Sequence, residues 1–232
     1  MTTISANLQA VRTRIAAACA NAGRPVGEVR LLAVSKTWPA SFVREAAACG
    51  QRDFGENFVR EGVEKMAALA DLELCWHFIG PLQSNKTRLV AEHFAWVHSI
   101  DRERIAERLS EQRPPHLPPL DICLQVNVSG EESKGGVAPQ AAAALARTVR
   151  QLPRLRLRGL MAIPEPSADG DLLRRRFATL RNLRDDLNGE GFGFDSLSMG
   201  MSGDFETAIR EGATVVRLGT LIFGTRVKES PT

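Results

Sequence analysis

Lys36 is placed where an amine could do chemistry. It follows the apolar run Leu31-Leu32-Ala33-Val34-Ser35, which reads as a fully buried strand, and precedes Thr37-Trp38-Pro39, where the strand must break. An unpaired ammonium is costly to bury unless it finds a counter-charge or its pKa falls. A lysine at that place therefore snorkels to water, pairs as a structural ion, or is kept for nucleophilic chemistry. A second set of residues lies near the other end of the chain. In Ser198-Met199-Gly200-Met201-Ser202-Gly203-Asp204 two glycines let backbone approach a ligand, Ser202 offers a hydroxyl, and the helix that should follow favours an anion. Val215-Val216-Arg217-Leu218 then ends in Gly219-Thr220, another glycine and hydroxyl pair. Either loop alone could be a tight turn; two of them after consecutive strands point to a phosphate. A lysine amine facing a phosphate anchor suits pyridoxal 5′-phosphate (PLP), whose aldehyde condenses with lysine. Arg217 has two readings: a guanidinium facing the pyridine nitrogen, which would keep that nitrogen unprotonated, or an ion pair with a rim carboxylate such as Glu56 or Asp204.

These residues need a frame that gathers strand ends. Apolar runs at 29–35, 53–55, 73–79, 96–100, 120–128, 157–163, 196–199 and 215–219 alternate with amphipathic stretches, for example 41–49, 59–70, 102–112, 139–151 and 171–188. Regular β-α alternation predicts a parallel sheet, and eight units predict a closed TIM-type (β/α)8 barrel, with an open doubly wound sheet as the alternative. An extra helix over 4–22 should precede the first strand and end at Gly23. No linker divides the chain, so residues 1–232 read as one domain, with 1–27 packing on the barrel. The proline-rich stretch 113–119 only joins a helix to the next strand. In such a barrel the site is built from loops at the carboxyl ends of the strands.

Composition excludes other classes. A net charge of +3 over 232 residues, with no basic stripe interleaved with aromatics, argues against a nucleic-acid partner. No apolar stretch could span a bilayer and no signal segment is seen, so a cytoplasmic protein is expected. Cys19, Cys49, Cys75 and Cys123 are scattered and read as free thiols, and the histidines suggest no metal site, since only His93 and His98 are close in sequence. The arginine run 174–176 reads as a solvated helix face. The stretch 80–87, GPLQSNKT, superficially resembles a nucleotide-binding P-loop, but Asn85 replaces its second glycine and Pro81 removes a donor; Ser84 could simply cap a helix there.

The strings LLAVSKT (31–37), FGENF (54–58), WHFIGPLQSNK (76–86), 98–101, SKG (133–135), RGLMAIP (158–164), LSMGMS (197–202) and VRLGTLIFGTR (216–226) resemble the pyridoxal phosphate homeostasis protein family, over essentially the whole chain from residue 28 onward. The resemblance implies a fold-type III barrel of the alanine racemase N-terminal kind with PLP held as an aldimine on Lys36. It also implies phosphate contacts from the Ser202 region and from Gly219 and Thr220, Arg217 near the pyridine nitrogen, and Asn57 lining the cofactor's face. Many members carry a second lysine two positions after the first; here that place is Trp38. Lys134 is either a second PLP-accepting amine or a solvated loop lysine. The family binds PLP and regulates its intracellular level, without established turnover. Apo PLP-dependent enzymes are the expected transient partners, and a monomer is expected. The rival is a weak amino-acid racemase or lyase. Alanine racemase takes its second base from a tyrosine of a partner subunit's β domain, and this chain has no tyrosine. A carrier, not an enzyme, is the expectation.

Overall fold

The computed structural model describes residues 3–130 and 135–225. The first element is an amphipathic helix, α1 (Ile4–Asn21), whose buried stripe is Leu8, Val11, Ile15, Ala18 and Cys19. The Thr3 hydroxyl caps it by accepting from the Ala6 N–H. It stops at Gly23, whose φ of +65° lets the chain turn left-handed, as the sequence predicts. Asn7 then ties α1 to the other end of the chain by donating to the Ile222 carbonyl at 2.9 Å.

Eight parallel strands follow, β1 (Arg30–Val34), β2 (Asp53–Glu56), β3 (Cys75–Phe78), β4 (Trp96–Ile100), β5 (Leu120–Gln125), β6 (Leu155–Met161), β7 (Ser196–Ser198) and β8 (Val215–Leu218), closed in sequence order by β8 pairing with β1. Closure decides against the open sheet. The helices are α2 (Ala40–Ala48), α3 (Val59–Ala68), α4 (Thr87–His93), α5 (Glu103–Gln112), α6 (Pro139–Val149), α7 (Gly170–Gly189), α8 (Phe205–Arg210) and α9 (Thr220–Phe223). Outward-facing strand residues and the inner helix stripes form one large core, including Phe54, Phe78, Val97, Ile122, Phe177 and Leu218. Inside the barrel lie two small apolar groups, one of Leu32, Val34, Ile79 and Val215, the other of Trp96, Cys123 and Met161.

Several strands are shorter at their carboxyl ends than their apolar runs. The fifth run, expected to 128, leaves the sheet at Gln125, and its continuation makes only a bridge from Val126 to Val137. Apolar residues beyond the last strand bond pack under the loops, which hydropathy does not distinguish from strand. Ser84 caps no helix: a 3-10 turn (Ser84–Lys86) comes first, and α4 begins at Thr87, whose hydroxyl donates to the Ser84 carbonyl. Gly80 is there for close approach, since a Cβ would sit 2.3 Å from the Asn57 carbonyl oxygen. All four cysteines are free, and Arg174 and Arg175 are exposed on α7. Among the described residues no helix is long and apolar enough to cross a membrane.

Candidate functional site

Four consecutive strands around the ring, β7, β8, β1 and β2, carry the residues singled out in the sequence. Lys36 follows β1, Asn57 follows β2, Ser202 lies in the β7–α8 loop, and Gly219 and Thr220 follow β8. Their loops are knitted together by backbone. The Ser35 N–H donates to the Gly55 carbonyl, and the Arg217 N–H donates to the Gly200 carbonyl. Gly219 lies so close to β1 that a Cβ would come 3.0 Å from the Val34 carbonyl oxygen. Gly200, with φ of +96°, packs under Phe205 and Ala208, where a side chain would collide. Lys134 lies outside the described residues.

Lys36 is exposed, and no partner of its ammonium is found among the described residues. The awkward charge at the strand's end is thus solved by reaching water, and the effort goes into the turn behind it. Thr37 adopts φ of +68°, unfavourable for a β-branched residue. A buried lysine holds this turn. The Lys65 ammonium on α3 donates at 2.7 Å each to the Ser35 carbonyl, to Glu56 Oε1 and to Glu61 Oε1, using all three of its protons. Glu61 Oε1 in turn accepts the Thr37 N–H, and the Ser35 hydroxyl donates to Glu56 at 2.7 Å. Burial pushes the Glu56 carboxyl pKa up, against the pull of Lys65 and Ser35. Sequence reasoning misses Lys65, because an isolated lysine on an amphipathic helix looks like any solvated one. Trp38 stacks on Phe42 at 4.9 Å and leans on Phe223 at 6.2 Å. A cleft of about 560 Å³ opens beside this turn, but Glu61 and Glu64 line it and make it unsuited to a phosphate.

Arg217 is 4% exposed, and neither sequence candidate pairs with it. Glu56 is taken by Lys65, and Asp204 accepts the Met201 N–H at 2.6 Å. The guanidinium instead donates to two neutral oxygens, Ser198 Oγ and the Ala162 carbonyl, both at 2.8 Å. Burial lowers its pKa to about 10, an arginine still charged at neutral pH. Asn57 shows the same spare capacity, since its Oδ1 is buried without a hydrogen-bond partner among the described residues. An exposed amine, a buried guanidinium with no ion-paired carboxylate among the described residues and an unpartnered amide oxygen fit an anionic, hydrogen-bonding cofactor that carries an aldehyde.

The histidines pair differently from their spacing in the sequence. His98 meets not His93 but His77, the two rings coming to 2.9 Å inside the barrel. Strand pairing brings them together: the register sets His77 beside Trp96, and His98, two residues further along β4, reaches back to it from the same face of the sheet. Asp53, Cys75 and His77 also place a carboxylate, a thiol and an imidazole within 4.8 Å of one another. The Arg30 guanidinium sits 3.7 Å from the same Asp53 oxygen, and burial pushes the Cys75 thiol up to about 12. The neighbouring guanidinium disfavours a cation there, and the three side chains hydrogen-bond one another.

A closed barrel with a lysine after its first strand and phosphate-type loops after its last two defines the alanine racemase N-terminal class. The chain matches the family described as alanine racemase, N-terminal domain, over residues 6–227. It is 62% identical to the pyridoxal phosphate homeostasis protein of Pseudomonas aeruginosa, over 100% of this chain and 99% of that one. It is 52% identical to the protein of that name from Escherichia coli K12, over 97% and 98% of the two chains. Among solved structures it superposes on PipY of Synechococcus elongatus with PLP bound, at a TM-score of 0.83 and 38% identity, covering 96% of this chain and 100% of that one. The alanine racemase of Corynebacterium glutamicum, at 15% identity, a TM-score of 0.72 and coverage of 97% of this chain and 64% of that one, shares the fold. The chain belongs to the pyridoxal phosphate homeostasis protein family.

Proposed function

We propose that this protein, acting as one unit over residues 1–232, binds PLP as a Schiff base on Lys36 and regulates the cytoplasmic level of the free cofactor, without amino-acid turnover. The observation that carries the reading is the unspent bonding capacity at one end of the barrel: the exposed Lys36 amine between Asn57 and the Gly219-Thr220 turn, above an Arg217 that donates to neutral oxygens and makes no ion pair among the described residues. The curated relatives are named for PLP homeostasis, and the PipY structure holds PLP, which supports carrying the cofactor over to this chain.

PLP supplies an aldehyde that condenses reversibly with amines. Lys36 would be the amine that condenses with that aldehyde, in its neutral form, with water as the leaving product. Ser202, Gly219 and Thr220 bind the phosphate with hydroxyls and backbone N–H groups. Asn57 would line the ring, and Arg217, a donor only, would face the ring nitrogen and favour its unprotonated form, a weaker electron sink. With Lys36 the one basic amine of this set and no tyrosine in the chain, symmetric proton transfer on two faces of a substrate lacks its second base. Release and transfer to apo-enzymes by a monomer follow as the role.

Purified protein mixed with PLP should give a visible Schiff-base band, and borohydride should fix the cofactor on a peptide containing Lys36. Retention of that band in Lys36→Ala would overturn the assignment. Stereospecific exchange of an amino acid's α-proton at useful turnover would favour a racemase or lyase instead. Handover is tested by transfer of PLP to an apo-enzyme in the presence of a scavenger of free PLP, which release into solution would not survive.

A further inference from the structure

A chain of side-chain hydrogen bonds crosses the barrel beneath the proposed cofactor site. Arg217 Nη1 donates to Ser198 Oγ at 2.8 Å; Ser198 Oγ lies 2.7 Å from His98 Nδ1. His98 Nε2 lies 2.9 Å from His77 Nδ1, and His77 Nε2 lies 3.1 Å from Asp53 Oδ1. The members come from β8, β7, β4, β3 and β2, so the chain links opposite walls of the barrel.

Its two ends determine its direction. A guanidinium can only donate and a carboxylate can only accept. His77 must therefore carry its proton on Nε2, toward Asp53, which leaves Nδ1 as an acceptor. His98 then donates from Nε2 to His77 and accepts at Nδ1 from the Ser198 hydroxyl. Ser198, having given its proton to His98, presents lone pairs to Arg217. All four bonds point the same way, and each polarises the next in an interior shielded from water. Burial keeps both imidazoles neutral, lowering the pKa of His77 and, further, that of His98. The counter-charge at the far end is Asp53, itself beside Arg30 at the amino end of the barrel.

We propose that His98 and His77, braced by Asp53, are positioning residues that hold Ser198 as an acceptor and thereby fix the Arg217 guanidinium toward the ring of bound PLP. A carboxylate in place of the Ser198 hydroxyl would orient Arg217 as firmly but would neutralise it. The neutral chain orients the guanidinium and leaves its charge for the ligand. The proposal rests on the reading of the mouth as a PLP site, but one of its consequences does not: the tautomers exist without cofactor.

The first measurement is on the apo-protein. Long-range ¹H–¹⁵N spectra of histidine-labelled protein should show His77 and His98 both as Nε2–H tautomers, and a Nδ1–H tautomer at either overturns the proposal whatever the cofactor does. The second compares His98→Leu with His98→Gln, whose amide can both donate and accept. Leucine should weaken PLP binding at least tenfold and change the band shape of the bound cofactor, while borohydride still fixes it on Lys36 at high PLP. Glutamine should recover part of the affinity and spectrum. Wild-type affinity and spectrum in folded His98→Leu overturn the brace and leave the Lys36 site standing. Absence of Lys36-linked PLP in the wild type removes both. If His98→Leu does not fold, Asp53→Leu decides, since it lies at the amino end, away from the mouth, and removes the acceptor of His77 Nε2–H: about a threefold loss with the same spectral change supports the brace, and no change overturns it.

Discussion

The two ends of this barrel spend their polar groups differently. At the amino end charges meet charges: Arg30 lies 3.7 Å from Asp53, and Arg158 sits between Asp195 at 2.5 Å and Asp121 at 3.4 Å, stacked over Trp96. At the carboxyl end Lys36 has no partner among the described residues, Arg217 donates only to neutral oxygens, and Asn57 Oδ1 accepts nothing. Both ends carry charged and polar side chains. Buried oxygens without a hydrogen-bond partner occur at both ends, Gln112 Oε1 at one and Asn57 Oδ1 at the other; what sets the carboxyl end apart is that Lys36 and Arg217 make no ion pair among the described residues. Charges are paired at the carboxyl end too, Asp101 with Arg102 and Glu165 with Arg176, and in the Lys65–Glu56–Glu61 cluster the pairing lies behind the Lys36 turn and holds it.

The comparison is broken most severely at that border. Lys65→Met strands two carboxylates, one fully buried, and should cost about 3–5 kcal/mol in urea unfolding; PLP loading should fall as well, because the Thr37 turn loses its anchor. The interior between the ends is tested by acid. His77 and His98 have folded pKa values below those of the unfolded chain, so their stabilisation is present above about pH 6.5 and is lost as pH falls below it, while the unfolded state takes up protons. Unfolding free energy should fall between pH 7.5 and 5.5, measured by urea titration at each pH, by no more than ~1.4 kcal/mol per proton and pH unit. A variant lacking His98 should show a shallower slope. At the amino end Arg158→Met should remove up to about 1 kcal/mol of stability from its partly exposed ion pairs and leave PLP affinity unchanged. The smallest effect on stability belongs to Asn57→Ala, within about 0.5 kcal/mol for the apo-protein because the lost oxygen is unpartnered, yet PLP affinity should fall several-fold. Stability loss at Asn57 without loss of affinity would reverse the assignment of the two ends.

Much of the site is legible in the sequence. Lys36, Ser202, Gly219 and Thr220 stand next to apolar runs and glycines, signals local in the chain, and the runs alternate with helical stretches regularly enough to count eight units. Lys65, His77 and His98 are not legible there. Lys65 reaches its partners by lying across α3 against β1 and β2, and the two histidines, 21 positions apart, meet through the register of β3 on β4. No short-range periodicity records such a meeting. The two readings of Arg217 stand open in the sequence for the same reason: Glu56 and Asp204 are plausible partners until the fold shows both bonded elsewhere.

The sequence by itself determined the eight alternating units and singled out Lys36 and the loops after the seventh and eighth strands as the residues to propose for chemistry, because strand, turn and phosphate-loop signals are each written within a few neighbouring residues. Tertiary structure alone decided which charges are compensated. Pairing depends on side chains from different strands and helices arriving within about 3 Å of each other, and a hydrogen bond loses its strength within about an ångström of misplacement. That is why Lys36 can be picked out from its neighbours, while the unneutralised Arg217 and the histidine chain beneath it emerge only when the eight strands close.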